Sequence, residues 1–388
     1  MLNADSVEHG AHDRWAERGE YWLKKLNPVP QYKARKRRFI HKPLVLSGHG
    51  IRLRVDRGTL HITCGFTHYP QKREEYRFFA GDRQMPSRIV VLDGDGSITF
   101  DALQWLSEQG VALMQLDWRG NISSVGGAHY AANPDLVRHQ WAIQNTQEAT
   151  EFTHWLIHNK IENGIQTIKH IAPSSQLVKE ILQKMAVQAE LLKCNPPKTT
   201  LELLTLEGLA AMAYFRYWYT LPIKWRGLNR KPIPPEWYQV GTRTGKHHSQ
   251  FAIHPVNAIL NYAYGILESQ VRTHLSLKGV DPTIGFIHVS NKDRDALVLD
   301  LMEPVRPIMD KKVLEFVMGR TFSPDDFIVN KNGVCRLHPQ FARVLVKAVQ
   351  DIDEVETITA ANIKRLFTTK LNAQKQLATN KSAPLNLI

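Results

Sequence analysis

The chain has 388 residues, 43% of them apolar, with three cysteines and a formal net charge of +13. The length is too great for one small core and allows roughly two or three domains. No apolar run reaches the roughly eighteen residues of a membrane span, the N-terminus lacks a signal-peptide core, and Cys64, Cys194 and Cys335 lie too far apart for a zinc ribbon or disulfide framework, which fits a reducing cytoplasm. The positive excess points to a polyanionic partner, nucleic acid before any other.

Residues 1–42 read as an N-terminal extension. An amphipathic helix over about Asp13–Leu26 stops at Pro28 and Pro30. The basic run Lys33, Arg35, Lys36, Arg37, Arg38 and Lys42 follows; it suits either a phosphate backbone or a solvated linker. Short alternating segments then predict strands at Leu44–Leu46, Ile51–Val55, Thr59–Thr63, Ser87–Leu92 and Val111–Asp117, with a helix at Phe100–Gln109 stopped by Gly110. Residues 43–125 therefore read as a small β-rich domain. Residues 126–140 read as a linker, because Ser123–Asn133 is small and flexible. Residues 141–388 read as the larger domain. Helical patterns cover Pro134–Ile157, Ser175–Leu192 and Leu201–Tyr219, the last capped by Thr199 or Thr200. A long helix opens at Pro255 and ends at Gly279. Another carries Asp300 and Glu303 and bends at Pro304 and Pro307. Gln340–Ile352 and Ala360–Leu377 complete the set. The expected fold class is α+β, a small β-rich N-terminal domain followed by a larger all-α catalytic domain.

Four side chains carry the chemistry. Asp300 and Glu303 are three apart, so on a helix both carboxylates face one way. His288 lies upstream in an extended apolar segment. Glu207 sits in the apolar helix LELLTLEGLAAMAYFRYW, where a lone buried carboxylate is costly unless paired or metal-bound. Each has a structural alternative when taken singly. Glu207 can pair with a base such as Arg216, His288 can be a hydrogen-bonded core residue, and Glu303 can pair with Arg306 at i+3. Together they read as a convergent set of Glu207, His288 and Glu303 on a divalent ion acting on phosphodiesters. Such an oxygen-rich set with one nitrogen suits Mg²⁺ or Mn²⁺. Basic residues, among them Arg216, Arg226, Arg243, Lys246, Arg294 and Arg306, alternate with Trp218, Tyr219, Trp225, Trp237 and Tyr238. That mixture suits a DNA groove with stacking positions, or a solvated loop with aromatic anchors. GTRTGKHH has one spacer too few for a phosphate-binding P-loop and is set aside.

Four segments occur in order: a Glu-Gly helix ending in AYF, then PVNAILNYAYGIL, then GVDPTIGFIH, then RDALVLDLMEPVRP. Together they resemble the CRISPR adaptation integrases, the Cas-one endonuclease family, closely over Leu201–Val317 and more weakly over Leu44–Gln140. The resemblance implies Glu207, His288 and Glu303 as metal ligands, Asp300 as an acidic neighbour in the catalytic set, and Asn257, Tyr214, Arg294 and Arg306 in support. It implies a β-rich domain that forms a homodimer and a helical catalytic domain. It also implies insertion of short DNA into a CRISPR array by 3′-OH attack, in prokaryotic antiviral immunity. The expected partners are double-stranded DNA with 3′-OH ends, target DNA and the small adaptation partner called Cas-two. Residues 1–42 have no counterpart in that pattern, and the segment Trp225–His254 is unusual in it. His254 stands where the family commonly has Asp, and Glu303 where many members have Asp. A stand-alone or transposon-borne integrase and a non-catalytic DNA-binding scaffold are the competing readings.

Overall fold

The computed structural model describes residues 43–47, 50–64, 73–86, 88–92, 94–117, 122–127, 133–241, 252–288, 295–349 and 353–367. The expected helix at Asp13–Leu26 and the basic run at Lys33–Lys42 lie outside these. Two four-stranded sheets build the N-terminal part. In one, β1 (Leu44–Ser47), β5 (Arg88–Leu92), β7 (Ala112–Leu116) and β8 (Ile122–Gly127) lie side by side in that order. The first three are parallel, and β8 returns antiparallel. In the other, the order is β4 (Glu74–Phe78), β3 (Thr59–Cys64), β2 (Ile51–Asp56) and β6 (Gly96–Ile98). β2 shows the period-two burial of a half-covered strand, Ile51 and Leu53 inward and Arg52 and Arg54 outward. Helix α1 (Phe100–Gln109) begins where Thr99 caps Ala102 N–H and ends at Gly110, whose φ of 69° is the left-handed stop that glycine takes readily.

Alternate residues of β5 serve two cores. Ile89 and Val91 pack into the cluster built from Leu46, Leu53, Leu60 and Leu106, whereas Val90 and Leu92 join the cluster of the helices. Those helices are α2 (Pro134–Ala142), α3 (Gln147–Ile171), α4 (Gln176–Cys194), α5 (Thr200–Trp218), α6 (Pro255–Lys278), α7 (Ala296–Met302), α8 (Arg306–Met318), α9 (Pro339–Val349) and α10 (Asp353–Leu366). α6 is the axis of this part. Val256, Ile259, Ala263, Ile266, Leu267, Val271 and Leu275 are all fully enclosed, and α7, α8, α9 and α10 pack around it, as expected of a helix apolar on most sides. No described helix is long and apolar enough to cross a membrane.

Three expectations need correction. The helical part is not all-α, because β9 (Lys224–Trp225) pairs with β10 (Thr321–Phe322), and β11 (Phe327–Val329) pairs with β12 (Cys335–Leu337). These strands are two or three residues long, too short to show periodicity. The linker expected at 126–140 is largely structured. Ile122–Gly127 is an edge strand held by β7, and Pro134 opens α2 with Asn133 as its cap; pairing with a formed neighbour overrides the poor strand propensity of Ser and Gly. The last helix begins at Asp353, seven residues before the expected Ala360. All the described residues fall within one compact unit.

Candidate active site

Helix α7 reads ALVLDLM, and every residue in it except Leu299 is buried. It cannot continue through Pro304, which lacks the N–H for the next helical bond and clashes with the preceding turn. Glu303 is thereby left at the corner between α7 and α8, its N–H bonded to the Asp300 carbonyl. Pro307 falls in the first turn of α8, where proline is tolerated. Two carbonyls at this corner accept hydrogen bonds from α3. Asn163 Nδ2 donates to Pro304 O at 2.7 Å, and Thr167 Oγ1 to Pro307 O at 2.8 Å. The same face of α3, one turn earlier, carries Lys160.

Lys160 Nζ lies 2.5 Å from Glu207 Oε1 and 2.6 Å from Glu303 Oε2. Glu207 comes from the middle of α5, whose start is fixed by Thr199 accepting Glu202 N–H at 3.2 Å. Carboxylates nearly one hundred positions apart in the chain thus share one ammonium. Arg306 NH1 lies 2.8 Å from the other Glu303 oxygen, Oε1, and its guanidinium covers the Tyr264 ring at 5.3 Å. Burial pushes the Glu303 carboxyl up, but Arg306, Lys160 and His288 together outweigh it and hold it at about 2. Burial likewise pulls the Lys160 ammonium down, and Glu303 and Glu207 more than reverse that.

His288 reaches the site through a loop pinned on both flanks. Gln140 is completely enclosed. Its Nε2 donates to Asp281 O at 2.9 Å and its Oε1 accepts Asp281 N–H at 3.0 Å. Gln144 Nε2 donates to Gly285 O at 2.9 Å. Asp300 then gathers the end of the loop. Its Oδ2 accepts Phe286 N–H at 2.5 Å and Ile287 N–H at 3.1 Å, and its Oδ1 accepts His288 N–H at 3.0 Å. The His288 ring nitrogen Nδ1 lies 2.7 Å from the same Oδ1. A carboxylate with no exposed surface can only accept here, so Nδ1 carries a proton; in the neutral imidazole, the form able to bind a metal, Nε2 then carries the lone pair. Nε2 faces Glu303 Oε1 at 3.9 Å. Asp300, expected within the catalytic set, orients His288 and does not face the cleft. Asp300 and Glu303 do meet one imidazole, through its two opposite nitrogens.

Among the described residues, no three carboxylate, imidazole or thiolate side chains stand close enough together to hold a metal ion as they lie. Glu207 and Glu303 are separated by the ammonium they share. The donor set nonetheless fits a hard divalent cation: two carboxylates and one imidazole already oriented by a carboxylate. Glu303 Oε2 also fits. It is buried and, although in ionic contact with Lys160, has no donor in hydrogen-bonding geometry.

The basic residues divide. Arg216 is half exposed and 3.7 Å from Glu180, and Arg226 is exposed beside β9. Arg306 does not present itself to a passing strand, being engaged with Glu303. Arg243, Lys246 and Arg294 lie outside the described residues. Tyr214 hydroxyl donates to Asp310 Oδ2 at 3.1 Å and Tyr264 hydroxyl to Oδ1 at 2.6 Å; with Lys160, Glu207 and Arg306 they border a cavity of about 240 Å³. His254 caps α6: Nδ1 accepts Val256 N–H at 3.2 Å while Nε2 lies 2.8 Å from Gln239 O.

Sequence reasoning missed Lys160, Asn163, Thr167, Gln144 and Asp310. A signal for three of them was present. Lys160, Asn163 and Thr167 recur at three- and four-residue spacing beside the apolar positions Ile161, Gly164, Ile165 and Ile168.

The family described as CRISPR associated protein Cas1 matches residues 44–351. The chain is 27% identical over 257 residues to a CRISPR-associated protein Cas1 of Methanobrevibacter ruminantium, covering 63% of this chain and 72% of that one. It is 29% identical over 293 residues to a CRISPR-associated endonuclease Cas1 of Thermus thermophilus, covering 75% and 80%. Among solved structures, a casposase bound to integration product shares the fold with a TM-score of 0.67 and 24% identity, covering 84% of this chain and 90% of that one. A Cas1 protein from Thermotoga maritima does so at 0.64 and 17%, covering 84% and 96%.

Proposed function

Because the chain belongs to the CRISPR associated protein Cas1 family, we propose that it is a metal-dependent DNA endonuclease and integrase of CRISPR adaptation, joining a DNA 3′-OH to a target phosphodiester. The observation that carries this reading is the convergence of Glu207 and Glu303 on one cation beside the oriented imidazole of His288. Glu207, Glu303 and His288 Nε2 would hold Mg²⁺ or Mn²⁺, which when bound polarises the target phosphate and favours the deprotonated 3′-OH. Asp300 keeps the His288 lone pair on Nε2. Arg306, fixed on Glu303 and Tyr264, keeps that carboxylate ionised and aligned. Asn163 and Thr167 tie the corner bearing Glu303 to α3. With water in place of the 3′-OH the same arrangement nicks DNA. Double-stranded DNA, a homodimer formed through the β-rich part and a Cas2 partner belong to this reading. Its support is the family match together with relatives named as endonucleases.

The test uses purified protein, Mn²⁺, a labelled duplex with free 3′-OH ends and supercoiled plasmid. Label should join the plasmid, and Glu207→Ala or His288→Ala should abolish joining while leaving most DNA binding. Full strand transfer by either variant would sink the assignment.

A further inference from the structure

We infer that Lys160 is a positioning residue that keeps the place of the divalent ion: its ammonium holds Glu207 and Glu303 together before loading and must withdraw for loading to occur. This rests on the metal-dependent reading above.

Three observations converge. First, Lys160 contacts one oxygen of each carboxylate, at 2.5 and 2.6 Å. Two carboxylates this close repel one another, and a part-buried ammonium offsets that repulsion as a metal would. Second, the contact to Glu303 is ionic without hydrogen-bond geometry, so Oε2 is neutralised but not directionally satisfied. A compact cation on a flexible four-carbon stem supplies charge at a point without enforcing the coordination angles that a metal would. Third, the side chain has a way out. It is 21% exposed and borders the 240 Å³ cavity beside the site. Arg306 borders the same cavity, but its ion pair is with Glu303 Oε1 and its guanidinium lies on the Tyr264 ring, so it does not bridge the two carboxylates as Lys160 does. Lys160 and a divalent ion therefore compete for the same two carboxylates, and competition for one site is a negative coupling of binding.

The test measures Mn²⁺ binding by calorimetry and melting temperature in EDTA and in Mn²⁺, at one fixed pH, for wild type, Lys160→Met and the double variant Lys160→Met/Glu207→Gln. Lys160→Met should melt lower in EDTA, bind Mn²⁺ roughly tenfold more tightly than wild type and show the larger Mn²⁺-induced rise in melting temperature. The double variant, with one carboxylate neutralised, should regain most of the melting temperature lost in EDTA. That recovery also covers the case in which Lys160→Met alone does not fold. If wild type binds Mn²⁺ and Lys160→Met binds it equally or more weakly, this inference is overturned and the metal reading stands. If neither binds Mn²⁺, both fall. If the double variant recovers nothing in EDTA, Lys160 serves packing and the inference fails.

Discussion

Asp300→Asn changes one oxygen to nitrogen in the most heavily used acceptor of the site. Asp300 accepts four donors in two pairs, Phe286 and Ile287 N–H on Oδ2 and His288 N–H and Nδ1 on Oδ1. An asparagine amide must turn its NH₂ toward one pair. Turned toward Phe286 and Ile287, it leaves two part-buried N–H groups facing a donor, at up to about 1–3 kcal/mol each. Turned toward His288, it strands one N–H, about 1–3 kcal/mol, and forces the ring to accept at Nδ1, which moves the proton to Nε2 and removes the lone pair facing Glu303. Either orientation disables the site, by loosening the loop or by switching the tautomer. Urea unfolding in EDTA, followed by tryptophan fluorescence, gives the stability change; nitrogen NMR of the His288 ring reports the tautomer. A variant within about 0.5 kcal/mol of wild type, with Nδ1 still protonated and strand transfer intact, would refute this account of Asp300.

Other substitutions probe neighbouring features. A Cβ on Gly285 would stand 2.5 Å from Ala296 Cβ and 3.0 Å from Asp300 Oδ2, so Gly285→Ala should cost about 1–3 kcal/mol and lower the melting temperature. Burial holds the His254 imidazole down at about 4. Its depressed value means the unfolded chain takes up the proton first, so this contribution is complete above about pH 6.5 and is lost as pH falls toward 4. His254→Asn, which can still cap α6, should remove about 2 kcal/mol of the difference in urea stability between pH 7 and pH 5; an unchanged difference would refute a buried neutral cap. Glu303, held at about 2, contributes stability that is full above about pH 4.5 and is lost as pH falls through 2. In EDTA, wild type should therefore lose about 3 kcal/mol more than Glu303→Gln over that interval, read as the difference between their acid-unfolding curves.

The parts of the fold legible in sequence were those set by local chemistry. Gly110 ends α1, Pro255 and Gly279 delimit α6, and Pro304 breaks the chain at Glu303, each through a constraint on its own backbone. Glu207, His288, Asp300 and Glu303 stood out because charged or titratable groups among apolar residues need a reason. What was not legible depends on partners distant in the chain. Ile122–Gly127 is a strand because β7 is beside it. Lys160 lay just past the helical pattern read over Pro134–Ile157 and showed no partner until α5 and the α7–α8 corner met on either side of it. The division of labour between Asp300 and Glu303 was equally hidden, since spacing alone aims both the same way. Only the loop ending at His288, folded back over Asp300, separates the one that orients from the one that faces the cleft.

The alternation of β5 bears on how this protein can be cut. Val90 and Leu92 belong to the core of the helices and Ile89 and Val91 to that of the sheets. A fragment ending near residue 127 would expose Val90, Leu92 and Leu116 on one sheet face, and a fragment beginning near residue 133 would lack the wall they provide. Neither piece has a complete interior, and the first offers a sticky β surface of the kind that drives association. Arg343 on α9, bound to Glu74 and to Cys64 Sγ, adds a polar stitch across the same seam. Limited proteolysis between the two parts should therefore leave a nicked but associated protein, and expression of either part alone should give aggregates.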